Sequence, residues 1–259
     1  MKKKFLFKLI VTFTLMVTMV APVSKSEATA TSLTPAIASS YYNVTNAIVK
    51  KYGIYAGDPA NSVWGGKGLE YAKILDFDNN KVPELYVVYG KGIKKEGYAS
   101  GYTEEVWTYN RGKAVRIYSH QNDEAGRVGD ESRAIANKSS VWYLVQSGSY
   151  SGGDSGGQWD LFYKLSNGKF VKVGETLLSE TYDYNDNSKR TYKITENGKS
   201  KMVTKKGYDL FLAKFNYINR TRIIESDAGS KSLAFNTKNN KKIINGFLQH
   251  LKSITGKKK

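Results

Sequence analysis

Leu161-Phe162-Tyr163-Lys164-Leu165 runs straight into Ser166-Asn167-Gly168-Lys169, and this pair of segments decides the fold class. Aromatic and branched apolar residues suit a pleated, half-buried strand. Asn-Gly supplies two residues that tolerate positive φ, which a tight hairpin turn requires if its twist is to match that of its strands. The arrangement recurs: Glu196-Asn197-Gly198-Lys199 carries a second Asn-Gly, and Tyr109-Asn110-Arg111-Gly112-Lys113 a related polar turn. Tyr86-Val87-Val88-Tyr89, Val106-Trp107-Thr108-Tyr109 and Val141-Trp142-Tyr143-Leu144-Val145 are further strand material. Strands joined by short turns, with no helices between them, predict an antiparallel meander rather than alternating strand–helix units.

Helical periodicity frames the meander. Ile37, Tyr41, Val44 and Ile48 form one apolar stripe between Pro35 and Tyr52, with Thr34 placed to cap it, Pro35 at the first helical position and Gly53 as the stop. After Thr204, a second stripe comprises Tyr208, Phe211, Leu212 and Phe215. A third comprises Ile243, Ile244, Phe247, Leu248, Leu251 and Ile254. The polar stretches Gly57 to Gly68 and Ser226 to Asn240 read as loops. The predicted architecture is one α+β domain over residues 31–259: an N-terminal helix, an antiparallel β-meander and two C-terminal helices.

Composition narrows the chemistry. The 259 residues hold 40 Lys and Arg against 23 Asp and Glu, a net charge of +17, with two His and no Cys. Without Cys there is no disulfide framework, thiolate zinc site, iron–sulfur cluster or Cys nucleophile. Two His leave little for imidazole chemistry.

Residues 1–30 read as a secretory signal peptide, with Lys2, Lys3 and Lys4 ahead of an apolar run and small residues at Ser26-Glu27-Ala28 or Ala28-Thr29-Ala30. Only 13 residues separate Lys8 from Pro22, too few for a membrane span of about 20. Cleavage after Ala28 would remove five lysines and one acid and leave +13. The mature chain is therefore expected to be secreted, extracellular and monomeric, without a membrane span. Export combined with the absence of Cys suits a Gram-positive bacterium.

The most informative string is Asp76-Phe77-Asp78-Asn79-Asn80-Lys81-Val82-Pro83-Glu84-Leu85. Side-chain oxygens of Asp76, Asp78, Asn80 and Glu84 fall at positions 1, 3, 5 and 9, and the Val82 carbonyl at position 7 can complete an oxygen cage for calcium. A turn that directs alternate residues toward one centre makes such a cage. The string departs from an EF-hand loop: Lys81 stands where the turning Gly belongs, Val87 where the bidentate Glu belongs, and the flanks are strand-like. A metal-free turn is the competing reading, because Asp and Asn also bond their own backbone.

On these residues the chain resembles the calcium loops of integrin-type FG-GAP repeats. It resembles more closely a family of exported Gram-positive proteins of unassigned function that carry D-x-D-x-[DN]-x-x-P-E-L after an N-terminal helix. The resemblance covers about Gly68 to Gly90 and is loose beyond. It implies export and a calcium site, and no reaction.

Other strings are weaker. Gly153-Asp154-Ser155-Gly156-Gly157 matches the nucleophile motif of trypsin-like serine proteases, in which Ser attacks a carbonyl. The only upstream His is His120, 35 residues before Ser155, too little chain for that family's two barrels, and Gln158 replaces the family's Pro. A Ser/Gly-rich loop over Ser147 to Gly157 explains the match without catalysis. Asp183, Asn185 and Asn187 echo the acidic string but lack a following acid. Trp64, Trp107, Trp142 and Trp159, with many Tyr, suit either a sugar-stacking platform or sheet packing. Glu104-Glu105, Asp123-Glu124 and Asp130-Glu131 offer carboxylate pairs for glycoside hydrolysis. The basic residues are dispersed and Lys-rich, without a nucleic-acid motif, which points to anionic cell-wall polymers or an envelope protein as partner rather than to specific DNA or RNA. The expected function is an exported, non-enzymatic binding or interaction protein of the envelope or medium with a structural calcium loop. A cell-envelope hydrolase with unidentified catalytic acids is the alternative.

Overall fold

The computed structural model describes residues 33–55, 67–92, 102–121, 131–182, 188–224 and 237–256. The segment read as a signal peptide, Trp64, and Asp183, Asn185 and Asn187 lie outside the described residues. The described chain is α+β, with three α-helices and eleven strands. None of its helices is long and apolar enough to cross a membrane.

Helix α1 spans Pro35–Tyr52. Thr34 Oγ1 accepts the Ile37 N–H at 3.3 Å, and Gly53 ends the helix at φ 86°, its own N–H donating to Val49 O. The stripe Ile37, Ala38, Tyr41, Thr45 and Ile48 is buried.

Four strands follow in chain order as one antiparallel sheet: β1 (Lys67–Leu75), β2 (Glu84–Lys91), β3 (Tyr102–Asn110) and β4 (Lys113–Gln121). A second sheet continues with β5 (Glu131–Lys138), β6 (Val141–Gly152), β7 (Ser155–Ser166), β8 (Lys169–Tyr182), β9 (Ser188–Glu196) and β10 (Lys199–Val203). The meander is therefore real but divides into two sheets after β4. Both Asn-Gly pairs form the expected turns, with φ of 51° and 72° at Asn167 and Gly168, and 50° and 76° at Asn197 and Gly198.

Helix α2 (Lys205–Ala213) starts at Thr204, whose hydroxyl accepts the Gly207 N–H at 3.2 Å. After a short 3-10 turn, β11 (Thr221–Ile224) pairs with the free edge of β5. Helix α3 (Thr237–Thr255) ends the described chain, so the polar stretch read as a loop to Asn240 stops at least four residues earlier.

The layers are held by three cores. On one face of the first sheet, Ile37, Tyr41 and Ile48 of α1 and Ile244 and Leu251 of α3 pack on Leu69, Leu85 and Val87. Its other face presents Phe77, Tyr86, Val88 and Val106 to Ile135, Leu144, Leu165 and Ile223 of the second sheet. Beyond that sheet, Phe211 and Phe215 close over Val145 and Phe162, with Phe215 and Phe162 stacked at 4.1 Å between ring centroids.

The Ser/Gly-rich stretch is not a loop. Ser147 to Gly157 forms the ends of β6 and β7 and the two-residue turn Gly153-Asp154 between them. Glycines weaken a strand because they offer no side chain to pack, yet here each of two faces an aromatic ring across the ladder. Gly148 pairs with Trp159, and a Cβ on it would come within 2.3 Å of the indole; Gly157 pairs with Tyr150, and a Cβ there would lie 2.5 Å from that ring. The rings lie over the bare backbone and take the place of the missing side chains.

Candidate metal centre

The acidic string forms the turn between β1 and β2. Asp76 begins it, and both of its carboxylate oxygens accept backbone N–H groups, from Asn80 at 3.0 Å and Lys81 at 2.9 Å. Asn79 and Lys81 take left-handed φ of 59° and 70°. Asn adopts that region readily, whereas Lys does so at a cost of about 1–2 kcal/mol, which its bond to Asp76 helps to offset. Lys81 thus makes the bend for which an EF-hand uses Gly.

The bend brings Asp76, Asp78 and Glu84 together, with one carboxylate oxygen from each all within 4.8 Å of one another. Asn80 sits against them: its Nδ2 donates to Asp78 Oδ2 at 3.0 Å, while its Oδ1 accepts the Val82 N–H at 2.7 Å. The oxygen expected to face an ion thus supports the turn backbone. Val82 contributes that N–H. Asp78 Oδ1 is buried and has no hydrogen-bond donor among the described residues.

Glu84 is the anchor. It opens β2, is 1% exposed, and accepts from Phe77 N at 3.0 Å and Thr108 Oγ1 at 3.2 Å. Burial pushes its carboxyl up to about 8; the Phe77 and Thr108 donors pull it down, and the charges of Asp78 and Asp76 push it further up. A divalent cation would reverse that last effect, since it favours the ionised form of carboxyl groups whose charges would otherwise repel one another. An all-oxygen donor set suits a hard cation.

Three layers meet at this turn. Tyr41 of α1 donates its hydroxyl to Pro83 O at 2.6 Å, Trp142 of the second sheet donates its backbone N–H to Phe77 O at 3.2 Å, and Thr108 reaches Glu84 from β3. Tyr41, Thr108 and Trp142 carry no motif. Only the fold brings them to the acidic string.

The remaining candidates separate. Glu104 and Glu105 point to opposite faces of β3. Glu104 accepts from Tyr86 and Tyr118 between the sheets, and Glu105 from Tyr89, Trp107 and Arg116 on the helix side. They do not face one another across a cleft. Asp123, Glu124, Asp130 and the side chain of Glu131 lie outside the described residues. Ser155 follows the β6–β7 turn, with its Oγ on Gly152 O at 3.3 Å, whereas His120 belongs to β4 of the other sheet. Trp107 packs on the helix side of the first sheet, Trp142 between the sheets, and Trp159 over Gly148, so no common stacking surface joins them.

No family model matches the sequence, and no curated protein sequence does. Among solved structures, one titled "Structure of a Xanthomonas Type IV Secretion System related protein" matches with a TM-score of 0.29 and 16% identity, over 51% of this chain and 56% of that one. A likeness of that size carries no argument about fold or function.

Proposed function

We propose that the protein is an exported, non-enzymatic binding module of the bacterial envelope or medium, stabilised by calcium at the β1–β2 turn. The observation that supports this reading is the gathering of Asp76, Asp78 and Glu84 at the point where α1 and both sheets are tied together. Calcium there bridges like charges that otherwise repel, and it stiffens a junction rather than opening a reactive centre. Asp76, Asp78 and Glu84 would hold the ion. Extracellular calcium modules bind at about 10⁻⁴–10⁻³ M, and Lys81 beside the acids keeps the affinity modest. Anionic cell-wall polymers are the proposed partners of the basic surface.

Thermal unfolding with millimolar calcium or with chelator tests the metal. The wild type is expected to gain about 2.7 kcal/mol at a hundredfold excess over the dissociation constant, and Asp78→Ala nothing. A wild type indifferent to calcium reduces the loop to a turn. Mass spectrometry of culture supernatant tests export, with an N-terminus just after Ala28 or Ala30 expected. An intact Met1 on a membrane-bound chain overturns it.

A further inference from the structure

The positive charge is unevenly compensated. On the second sheet and its helix acids stand among the cations, and four cations are paired with them: Lys172 with Glu175 at 2.8 Å, Arg190 with Glu180 at 3.0 Å, Lys205 with Asp209 at 2.7 Å and Lys214 with Glu196 at 2.7 Å, while other exposed lysines there, such as Lys193 and Lys201, have no ion pair among the described residues. The opposite layer is different. Neither α1 nor α3 contains a single Asp or Glu, and Lys50, Lys51, Lys241, Lys242 and Lys252 are exposed there. None of these five lysines has an ion pair among the described residues.

The fold concentrates the charge further. Asn240, buried in the first turn of α3, donates to Tyr55 O at 3.0 Å and to Leu69 O at 3.3 Å, which seats the start of α3 beside the end of α1. Lys241 and Lys242 follow Asn240 directly, and Lys50 and Lys51 occupy the last turn of α1. Four cations with no counter-charge of their own therefore share one end of a two-helix layer. Such a group repels itself and is relieved by an anion.

We propose that this exposed face of the α1–α3 layer, centred on Lys50, Lys51, Lys241 and Lys242, docks a linear phosphate-linked polyanion. The inference rests on the envelope-polymer reading above and assigns it a surface. An anionic membrane fits less well, because an interfacial helix needs apolar side chains to insert. Those of α1 and α3 are already spent on the first sheet, and among their large apolar residues only Ile243 is mostly exposed, at 54%. Single-stranded nucleic acid fits less well too, since no Phe, Tyr or Trp of the two helices is more than partly exposed, and the one exposed ring is that of His250.

The test compares two variants of equal charge for binding to long-chain inorganic polyphosphate between about 0.05 and 0.3 M salt. One carries Lys50→Gln, Lys51→Gln, Lys241→Gln and Lys242→Gln; the control carries Lys172→Gln, Arg190→Gln, Lys205→Gln and Lys214→Gln. Circular dichroism verifies folding, and the double variants Lys241→Gln/Lys242→Gln and Lys205→Gln/Lys214→Gln replace any set that does not fold. The helix-layer variant is expected to lose at least about tenfold in affinity at low salt, and its log–log salt slope to shrink by about 3, while the control stays within about twofold. Equal losses in both variants overturn this surface and leave the polyanion reading intact. A wild type that does not bind polyphosphate at low salt overturns both. Preferential binding to phosphatidylglycerol vesicles or to single-stranded DNA, lost in the helix-layer variant, overturns the choice of partner.

Discussion

Arg133 Nε lies 3.2 Å from Glu104 Oε2, and this ion pair joins the two sheets through the interior, each side chain 1% exposed. Arg133 comes from β5 and Glu104 from β3. Tyr86 and Tyr118 donate their hydroxyls to the same carboxylate at 2.6 and 3.2 Å, and the Arg133 guanidinium stands 5.8 Å from the Tyr102 ring centroid. Removing one member of a buried pair leaves the other charge uncompensated, at a cost of about 3–5 kcal/mol. Glu104→Gln should lose that much in urea unfolding. Glu104→Gln/Arg133→Met should recover most of it, since no buried charge is then left uncompensated. A double variant as unstable as the single would locate the cost in packing.

The glycine–aromatic pairs make a second prediction. Gly148→Ala drives a methyl into the Trp159 ring and should cost about 1–3 kcal/mol, the range for overpacking. In the background of Trp159→Ala the same change should cost far less. Gly152→Ala, which meets nothing within 4 Å, serves as the neutral reference. Equal effects in both backgrounds would show that the ring does not cover the glycine.

Stability should fall as pH rises from 4.5 to about 8, through Glu70. This residue of β1 is 3% exposed, and burial alone pushes its carboxyl from 4.5 up to about 8. Its folded-state value exceeds the unfolded one, so the folded chain binds the proton more tightly. The contribution is fully present below pH 4.5 and is lost as pH rises through 8. The loss is roughly 5 kcal/mol at most. Glu70→Gln should flatten this decline and be more stable than wild type above pH 8. Parallel pH profiles for the two proteins would reject the assignment.

The acidic turn predicts a reversal of sign. Asp78→Asn relieves repulsion with Asp76 and Glu84, so in chelator the variant should match or exceed the wild type by up to about 1 kcal/mol, discounted because Asp78 is partly exposed. In millimolar calcium the order should invert. Melting in the two buffers decides it; a variant weaker than wild type in both means that Asp78 works through its hydrogen bonds alone.

What was legible in the sequence is what is local. The limits of α1 follow from Thr34, Pro35 and Gly53, and two hairpins from Asn-Gly, because capping and turn chemistry act over four residues or fewer. The turn at Ser139-Ser140, with φ of 51° and 66°, carries no such signal and is imposed by the pairing of β5 with β6. Ser147 to Gly157 misleads for a related reason: its strand character depends on rings directly across the ladder. β11 carries no signal of its own, since an edge strand of four residues has no periodicity to read. At the site, Asp76, Asp78 and Glu84 were readable because one turn holds them all. Thr108 and Tyr41 were not, since they arrive from other elements. Glu104 and Glu105 were adjacent on paper and opposite in space, as strand alternation dictates.

The bond from Asn240 to Tyr55 O spans 185 residues. It means that the first described helix is among the last elements to be finished. A folding chain can form α1 and lay it on the first sheet, but the part of that face beside Leu69 stays uncovered until α3 arrives to share it. Assembly closes tail on head, a slow kind of contact to make. Until α3 docks, α1 must be kept from sticking elsewhere.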